Sequence, residues 1–304
     1  MADILVIKLS ALGDLFFALP AMQAIRRHHA ADRLVLLTAA RFQPLMQESG
    51  LFEEVWSDPR PSWWSPLRLA ALRRRLRARR VARVYGLQWS ERSDLCLRHL
   101  GDGAGEKIGT TPAADRPFPG RRDPRPIYER HAACLAAAGV EVGRPPDLSF
   151  LDGDLSHLPL AEPFALLVPG SARHRPLKRW PAEHYGGLAQ ALAARGIQPV
   201  VVAGPEEPEA VAEIRAAEPT AWHEPLTYGE IAALGRRARF AVANDTGPGH
   251  LLALAGTPTL MLFGGDSDPV KQRPWGEASR TLRCVPLSRL PVAQVLEAAL
   301  GLSR

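Results

Sequence analysis

Residues 240–264 read FAVANDTGPGHLLALAGTPTLMLFG, and this stretch determines the fold class. Two apolar runs, FAVA at 240–243 and TLMLFG at 259–264, are typical of buried strands, and GHLLALAG between them is typical of a short helix. The polar cluster NDTGPGH at 244–250 joins the first strand to that helix. A strand, a helix and a second strand in this order predict a parallel βαβ unit.

The same alternation extends outward from this stretch in both directions. FALLVPG and PVVVAG are further strands of the second half, and helices begin near Pro181 and at PEAVAEIRAAE. In the first half, DILVIKL, RLVLLTA, FEEVWS and RVYGLQ are strands, with helices between them and a helical stretch near 127–138. This pattern predicts an α/β protein with two doubly wound, Rossmann-like parallel sheets that face each other across a cleft.

The chain of 304 residues is long enough for two domains. Residues 139–160 are rich in Pro, Gly and Asp and indicate the interdomain linker. We therefore expect an N-terminal domain over 1–155 and a C-terminal domain over 156–285. The last segment, 286–304, contains the helical pattern PVAQVLEAALG.

Composition limits the kind of partner. The net charge of +6, carried mostly by Arg, favours an anionic ligand or surface, but we find no nucleic-acid recognition motif. Cys96, Cys134 and Cys284 are odd in number and widely spaced, which predicts reduced thiols in a cytoplasmic protein. The N-terminus lacks a signal-peptide pattern, and Gly256 with Pro258 interrupts the longest apolar run, so we predict no membrane span.

The loop NDTGPGH has the residues of an anion site at a helix start. Thr246 or Asp245 suits the N-cap position, and Pro248 suits the first helical position. Gly247 and Gly249 allow a ligand to approach the backbone, and the N–H groups at the helix start attract negative charge. The alternative interpretation is a well-capped helix without a ligand.

A second loop, GSARHRPLKR at 170–179, also lies between a strand and a helix. It places two small residues before a group of cations, which is suited to holding a diphosphate. The residues concerned are Gly170, Ser171, Arg173, His174, Arg175, Lys178 and Arg179. The alternative is a solvated basic loop.

A third segment, KLSALGD at 8–14, follows the first strand and opens the first helix. Its single glycine, Gly13, does not match a dinucleotide-binding turn. Asp14 is placed either to complement the helix dipole or to act as a general base.

Together, KLSALGDLFFALPAMQAIRR, VPGS with KRWPAEHY, and NDTGPGHLLALAGTPTLMLFG resemble the bacterial heptosyltransferases of glycosyltransferase family 9. The motifs agree in order and spacing from Ile4 to about Pro269. The resemblance implies a GT-B fold and transfer of heptose from ADP-heptose to the lipopolysaccharide inner core. It also implies that the C-terminal domain holds the nucleotide and that the last helix is able to cross back to the N-terminal domain.

The resemblance also assigns roles to individual residues. Asp14 matches the family's base, with Gly13 beside it and with Lys8 and Ser10 near donor or acceptor. Lys178 matches the lysine that neutralises the diphosphate. The remaining donor contacts by resemblance are Gly170, Ser171, Thr246, Gly247 and His250 around the diphosphate, Asp245 on the sugar side, and Glu206 or Glu207 on the ribose.

These roles imply inverting transfer in which Lys178 and helix N–H groups stabilise the departing ADP, without a metal or other cofactor. Two D-x-D patterns, DGD at 152–154 and DSD at 266–268, are the competing signal for a metal site. Two other functions stay open: a family member with another nucleotide sugar or acceptor, and a nucleotide-sugar-binding protein without catalysis.

The sequence RLAALRRRLRARRVAR at 68–83 predicts an amphipathic helix with Leu69, Leu72 and Leu76 on one face. It is suited to anionic lipid or to the phosphates of a lipopolysaccharide core, and equally to a solvated surface. Trp63 and Trp64 before it are candidate sugar platforms, membrane anchors or packing residues. We expect a cytoplasmic enzyme, with peripheral contact at the inner membrane as a further option.

Overall fold

The computed structural model describes residues 2–58, 66–100, 104–117, 123–172 and 174–302. Contacts divide the chain into two compact units, Met1–Phe150 and Leu151–Arg304. The division falls inside the Pro- and Gly-rich stretch expected to be the linker, five residues before the boundary predicted at 155. Trp63, Trp64 and Arg173 lie outside the described residues.

The first unit is a parallel α/β sheet. Its strands lie in the order β3-β2-β1-β4-β5-β6, and every described pairing is parallel. The strands are β1 (Asp3–Ile7), β2 (Arg33–Ala39), β3 (Glu54–Asp58), β4 (Val81–Gly86), β5 (Glu106–Gly109) and β6 (Arg116–Pro117). The helices are α1 (Leu12–His28), α2 (Gln43–Glu48), α3 (Pro66–Arg77), α4 (Glu91–Leu100) and α5 (Ile127–Ala136).

The second unit is also a parallel α/β sheet, with strands in the order β11-β10-β9-β7-β8. The strands are β7 (Phe164–Val168), β8 (Gln198–Val201), β9 (Phe240–Asn244), β10 (Thr259–Phe263) and β11 (Arg280–Arg283). The helices are α6 (Ala182–Ala193), α7 (Pro208–Ala217), α8 (Tyr228–Arg237), α9 (Gly247–Leu254) and α10 (Val292–Leu300).

Each sheet reverses its direction of strand addition at a central strand. β1 lies between β2 and β4, and β7 lies between β8 and β9. The loops that leave two such neighbouring strands diverge to opposite faces of the sheet and open a crevice at the strands' carboxyl ends. The loop 8–11 follows β1, while the loops 169–181 and 245–246 follow β7 and β9.

The three inner strands of the second sheet, β10, β9 and β7, are mostly apolar, as is typical of parallel strands covered by helices on both faces. All residues of β7, β9 and β10 are buried. Trp180, Tyr185 and Leu188 pack with Phe240 and Leu260 in one cluster of buried residues. This packing fixes the strand ends from which the loops depart.

Two predictions of local structure need correction. The helix predicted over 68–83 ends at Arg77, and Val81 already begins β4. Thr246 takes the N-cap of α9 without a side-chain hydrogen bond to the helix, and Pro248 is its second residue, not its first. The last helix, α10, groups with the second unit and packs on α6, and its ability to cross back to the first domain stays a prediction.

Within the described ranges, no helix combines the length and the apolar character needed to cross a membrane.

Candidate functional site

The two loops predicted to hold an anion meet in the second unit. Lys178 ends a short turn after β7, and Asp245 follows β9, so 67 positions of sequence separate them. In the structure the Nζ atom of Lys178 lies 2.5 Å from Oδ2 of Asp245. Because β7 and β9 are hydrogen-bonded neighbours, their carboxyl ends bring these side chains to the same edge of the sheet.

Asp245 accepts hydrogen bonds from three side chains. Besides Lys178, Ser267 Oγ donates to Oδ2 at 2.6 Å, and His250 Nε2 lies 3.0 Å from Oδ1. All four residues are buried, each less than 10% exposed. We refer to Lys178, Asp245, His250 and Ser267 as the Asp245 cluster.

Electrostatics keeps Asp245 ionised. Burial alone raises the pKa of a carboxyl group, but here the hydrogen bond and charge of His250 and the charge of Lys178 outweigh burial. The pKa of Asp245 is therefore held well below its usual range. The carboxylate is a permanent counter-ion inside the site.

Ser171 is a further buried residue at the same edge of the sheet. Ser171 follows β7 and is 5% exposed, and its hydroxyl has no hydrogen-bond partner among the described residues. Its carbonyl oxygen accepts a bond from Arg179 Nη2, which fixes the loop. A buried hydroxyl without a partner costs free energy unless a ligand or water supplies one. Ser171 is therefore suited to bind a ligand oxygen.

Asn244 holds the two loops together and was not singled out in the sequence. Its side chain is completely buried, and Nδ2 donates to the carbonyl oxygen of Pro169 at 2.7 Å. Its Oδ1 accepts from the Trp180 backbone N–H and from the Tyr185 hydroxyl. The sequence feature that could have identified Asn244 is its position as the last residue of a buried strand.

The structure distinguishes the two acidic residues that follow β8. Glu207 Oε2 accepts a hydrogen bond from the Gly204 backbone N–H at 2.9 Å. A Cβ placed on Gly170 would lie 3.0 Å from Cδ of Glu207, so this carboxyl group is packed against the first loop. Glu206 is exposed. Glu207 is therefore the residue placed beside the site.

One carboxylate of the D-x-D pattern at 266–268, that of Asp268, is engaged by its own loop. Asp268 Oδ1 accepts from the backbone N–H groups of Val270 and Lys271, and the Lys271 ammonium lies 3.8 Å from Oδ2. Ser267, between the two aspartates, points instead at Asp245. Among the described residues there is no group of three or more His, Cys, Asp or Glu side chains placed to hold a metal ion.

In the first unit, the loop after β1 carries the other predicted residues. Asp14 is half-buried at the third position of α1, and its Oδ2 accepts from the Ala11 backbone N–H at 3.2 Å. Gln88 Oε1 accepts from the backbone N–H groups of Leu9 and Ser10, at 3.2 and 3.1 Å. Gln88, two residues after the end of β4, therefore anchors the loop that leads to Asp14. Sequence reasoning missed it.

Two buried titratable groups lie behind this loop. Lys8 Nζ donates to the Leu87 carbonyl oxygen at 3.3 Å, and burial lowers the pKa of Lys8 although the nearby Asp14 opposes that shift. His131 has ring nitrogens 3.4 Å from Phe17 O and 3.1 Å from Leu87 O. Burial, with the charge of Lys8, lowers the pKa of His131 to about 3. His131 is thus a neutral buried residue at physiological pH.

Known proteins resemble this chain in sequence and in fold. The family profile described as glycosyltransferase family 9 (heptosyltransferase) matches residues 137–295, just over half of the chain. Lipopolysaccharide heptosyltransferase 2 of Escherichia coli K12 is 31% identical over 153 residues. That alignment covers 46% of this chain and 43% of the relative, so it spans less than half of the relative's length.

Solved structures match over nearly the whole chain. The E. coli heptosyltransferase WaaC with ADP has a TM-score of 0.78 at 22% identity and covers 97% of this chain and 98% of that one. The E. coli ADP-heptose lps heptosyltransferase II has a TM-score of 0.73 at 23% identity, with 97% and 96% covered. At this identity the likeness shows the fold, which is GT-B. With the family profile it leads to one conclusion: the chain belongs to glycosyltransferase family 9 (heptosyltransferase).

Proposed function

We propose that this protein transfers a heptose from ADP-heptose to a lipopolysaccharide inner-core acceptor, with inversion and without a metal. The observation that carries the proposal is the buried contact between Lys178 and Asp245, on the same strand-end edge as the Ser171 hydroxyl, which has no partner among the described residues. This arrangement offers a cation and donors to a diphosphate. WaaC, which has the same fold, was solved with ADP-2-deoxy-2-fluoro heptose.

The donor site follows from the loops of the second unit. Lys178 and Ser171 would contact the diphosphate, together with Gly170, Thr246 and the first N–H groups of α9 at Gly247. His250 is the fourth residue of α9, and it contacts Asp245, which lies two residues before that helix. We assign the ribose contact to Glu207 because its carboxyl group is packed against Gly170, whereas Glu206 is exposed.

In this proposal Asp14 is the general base, and Lys8, Ser10 and Gly13 are the residues beside it. The acceptor hydroxyl attacks the anomeric carbon of the donor, the bond from that carbon to the ADP oxygen breaks, and the hydroxyl proton passes to Asp14. ADP leaves with the bonding electron pair. Lys178 and the α9 N–H groups stabilise the negative charge that develops on it.

Two substitutions separate the base from the donor site. Asp14→Asn should lower turnover by about a hundredfold or more while the Kd for ADP stays near the wild-type value. Lys178→Ala should weaken ADP binding and turnover together, and Lys107→Ala, on β5 of the first unit, is its control. An Asp14→Asn variant that loses ADP binding to the same extent would show that Asp14 has a structural role only.

Metal independence has its own test. The carboxylate of Asp245 is surrounded by donors, and Asp268 accepts from two backbone N–H groups beside Lys271, so a metal ion would have to compete with those donors. Asp266 is the remaining carboxylate of the pattern, and its substitution tests it directly. Transfer should therefore persist in excess EDTA, and Asp266→Ala should have little effect. Loss of activity with EDTA and its return with Mn²⁺ or Mg²⁺ would move the chemistry to the DSD pattern.

The donor sugar is tested by a panel of nucleotide sugars. A ligand that binds the folded state raises the unfolding temperature by mass action. ADP-heptose should raise it more than UDP- or GDP-sugars do. A larger shift with another nucleotide sugar would favour the alternative family member. Binding without any transfer, in the presence of a lipopolysaccharide acceptor, would favour the inactive binding protein.

We further propose peripheral contact with an anionic membrane surface at the cytoplasmic face. On and just after α3, Leu72 and Leu76 are buried while Arg73, Arg74, Arg77 and Arg80 are exposed, which leaves a basic outer face. The protein should sediment with phosphatidylglycerol vesicles and not with phosphatidylcholine vesicles. Binding to vesicles that survives charge reversal of Arg73 and Arg74 would contradict this assignment.

A further inference from the structure

We propose that the loop after β10, residues Gly264–Asp268, positions Lys178 for the diphosphate. We call this segment the β10 loop. The inference rests on the proposed function, because it gives Lys178 its ligand. It adds two positioning residues, Ser267 and Gly264, neither of which is expected to touch the donor itself.

Ser267 acts through the counter-ion of Lys178. Its Oγ donates to Oδ2 of Asp245 at 2.6 Å, and the same oxygen lies 2.5 Å from the Lys178 ammonium. Ser267 is 8% exposed, so bulk water does not compete freely for the bond. A second bond to Oδ2 fixes the orientation of the carboxylate, and with it the place of the ammonium.

Gly264 acts on the backbone of Lys178's own turn. A Cβ at position 264 would lie 1.8 Å from the carbonyl oxygen of Leu177, the residue before Lys178. Only glycine permits this approach, and any larger residue must displace the 176–178 turn. The neighbouring Gly265 differs, because a Cβ there would meet Leu177 Cδ1 at 3.5 Å and Val285 Cγ1 at 3.7 Å, which are ordinary contacts.

Through these two contacts the β10 loop restrains Lys178 at its backbone and at its ammonium group. Gly264 fixes the backbone, and Ser267 with Asp245 fixes the ammonium. ADP carries a terminal phosphate that AMP lacks. The affinity for ADP should therefore depend more strongly on the position of the Lys178 ammonium than the affinity for AMP, which is bound mainly through its nucleoside. Disturbing the β10 loop should therefore weaken ADP binding more than AMP binding.

The experiment measures Kd for ADP and for AMP by calorimetry, with the unfolding temperature of each variant. Ser267→Ala should weaken ADP binding by about three- to tenfold, the range of one typical net hydrogen bond, because Ser267 acts only through Asp245, while AMP binding changes little. Ser267→Thr retains the hydroxyl and should restore the ADP affinity. Gly264→Ala should weaken ADP binding more strongly than Gly265→Ala, its matched control.

Two results would overturn the proposal. The first is an ADP affinity in Ser267→Ala equal to that of the wild type. The second is an equal loss of ADP and AMP affinity together with a lower unfolding temperature, because that combination indicates a general structural defect. A double-mutant cycle on unfolding, with Ser267→Ala and Lys178→Met, supplies a readout that needs no ligand. Non-additive shifts of the unfolding temperature are expected, and additive shifts contradict positioning. If wild type fails to bind ADP but the cycle is non-additive, the proposed function is wrong and the positioning of Lys178 stands.

Discussion

The carboxamide of Asn244 donates to the carbonyl oxygen of Pro169 at 2.7 Å and thereby ties the end of β9 to the loop after β7. Asn244 is the only asparagine in the chain. The pairing needs an amide, because the same side chain must donate at one atom and accept at the other. The neighbouring residues, Asp245 and Lys178, depend on it for their relative positions.

Replacement of this amide should be severe. Asn244→Asp places a carboxylate oxygen against the Pro169 carbonyl oxygen in a fully buried position, so we expect a loss of about 2–4 kcal/mol in the free energy of unfolding. Gln190→Glu makes the same chemical change at an exposed side chain that donates to Ala217 O, and should cost far less. Equal losses in urea unfolding would show that burial of Asn244 is unimportant.

Gln88 anchors the loop 8–11 after β1, so we expect its substitution to lower turnover without weakening ADP binding. Gln88→Leu leaves the Leu9 and Ser10 N–H groups without their acceptor and should lower kcat by about tenfold. Gln88→Glu retains an acceptor oxygen and should restore most of the rate. Gln43→Leu removes a glutamine bonded to Val55 O elsewhere in the same unit. A loss of rate in this control as large as that in Gln88→Leu would speak against the anchoring role.

His131 predicts a pH dependence of stability. Its pKa is about 3 in the folded protein and about 6.5 when unfolded, so the unfolded chain binds more protons between these values. Stability should therefore decrease as the pH falls from about 6.5 towards 3, by up to about 1.4 kcal/mol for each pH unit.

The measurement compares wild type with His131→Gln, which does not titrate, by urea unfolding at several pH values. The difference in unfolding free energy between them should change across this window. His157→Gln, at an exposed histidine, serves as the control and should follow wild type. A constant difference between wild type and His131→Gln would mean that His131 titrates normally in the folded state.

Asp245 predicts a loss of stability in the same direction, with falling pH, but in a more acidic range. Because its pKa is lowered in the folded state, its contribution to stability is complete above the unfolded pKa of about 3.9 and is lost as the pH falls through the lower folded value. Asp245→Asn leaves Lys178 buried without its counter-ion and should cost about 3–5 kcal/mol at pH 7. Chemical unfolding should show this difference shrinking below about pH 4. A difference that stays constant down to pH 3 is incompatible with an ionised Asp245 in the folded state.

Most of the second unit could be predicted from the sequence because its strands are short apolar runs bounded by Gly and Pro. β9 and β10 occur where FAVA and TLMLFG indicated them. In the first unit α4 and β5 were missed. The helix α4 buries Ser93, whose Oγ donates to Gln88 O, and β5 begins with the charged residues Glu106 and Lys107. Polar residues that are buried through tertiary hydrogen bonds, or exposed on a short strand, leave no periodic apolar pattern.

The candidate site was predictable in its residues but not in its contacts. Lys178 and Asp245 were each singled out, yet their mutual bond depends on how two loops leave neighbouring strands. Ser267 was read only as the middle of a metal-binding pattern, because the sequence does not show which way a loop side chain points. Glu206 and Glu207 could not be distinguished for the same reason. Local sequence fixes residue types at a strand end, while tertiary packing selects their partners.

The location of the Asp245 cluster within the chain has a consequence for how the gene can change by recombination. All four of its side chains come from one continuous half of the chain, after the division between Phe150 and Leu151, and the family profile covers 137–295. A recombination event at that division would exchange the first half of the gene without separating any partner of Asp245. The Asp245 cluster is therefore inherited as one piece, whichever first half it is joined to.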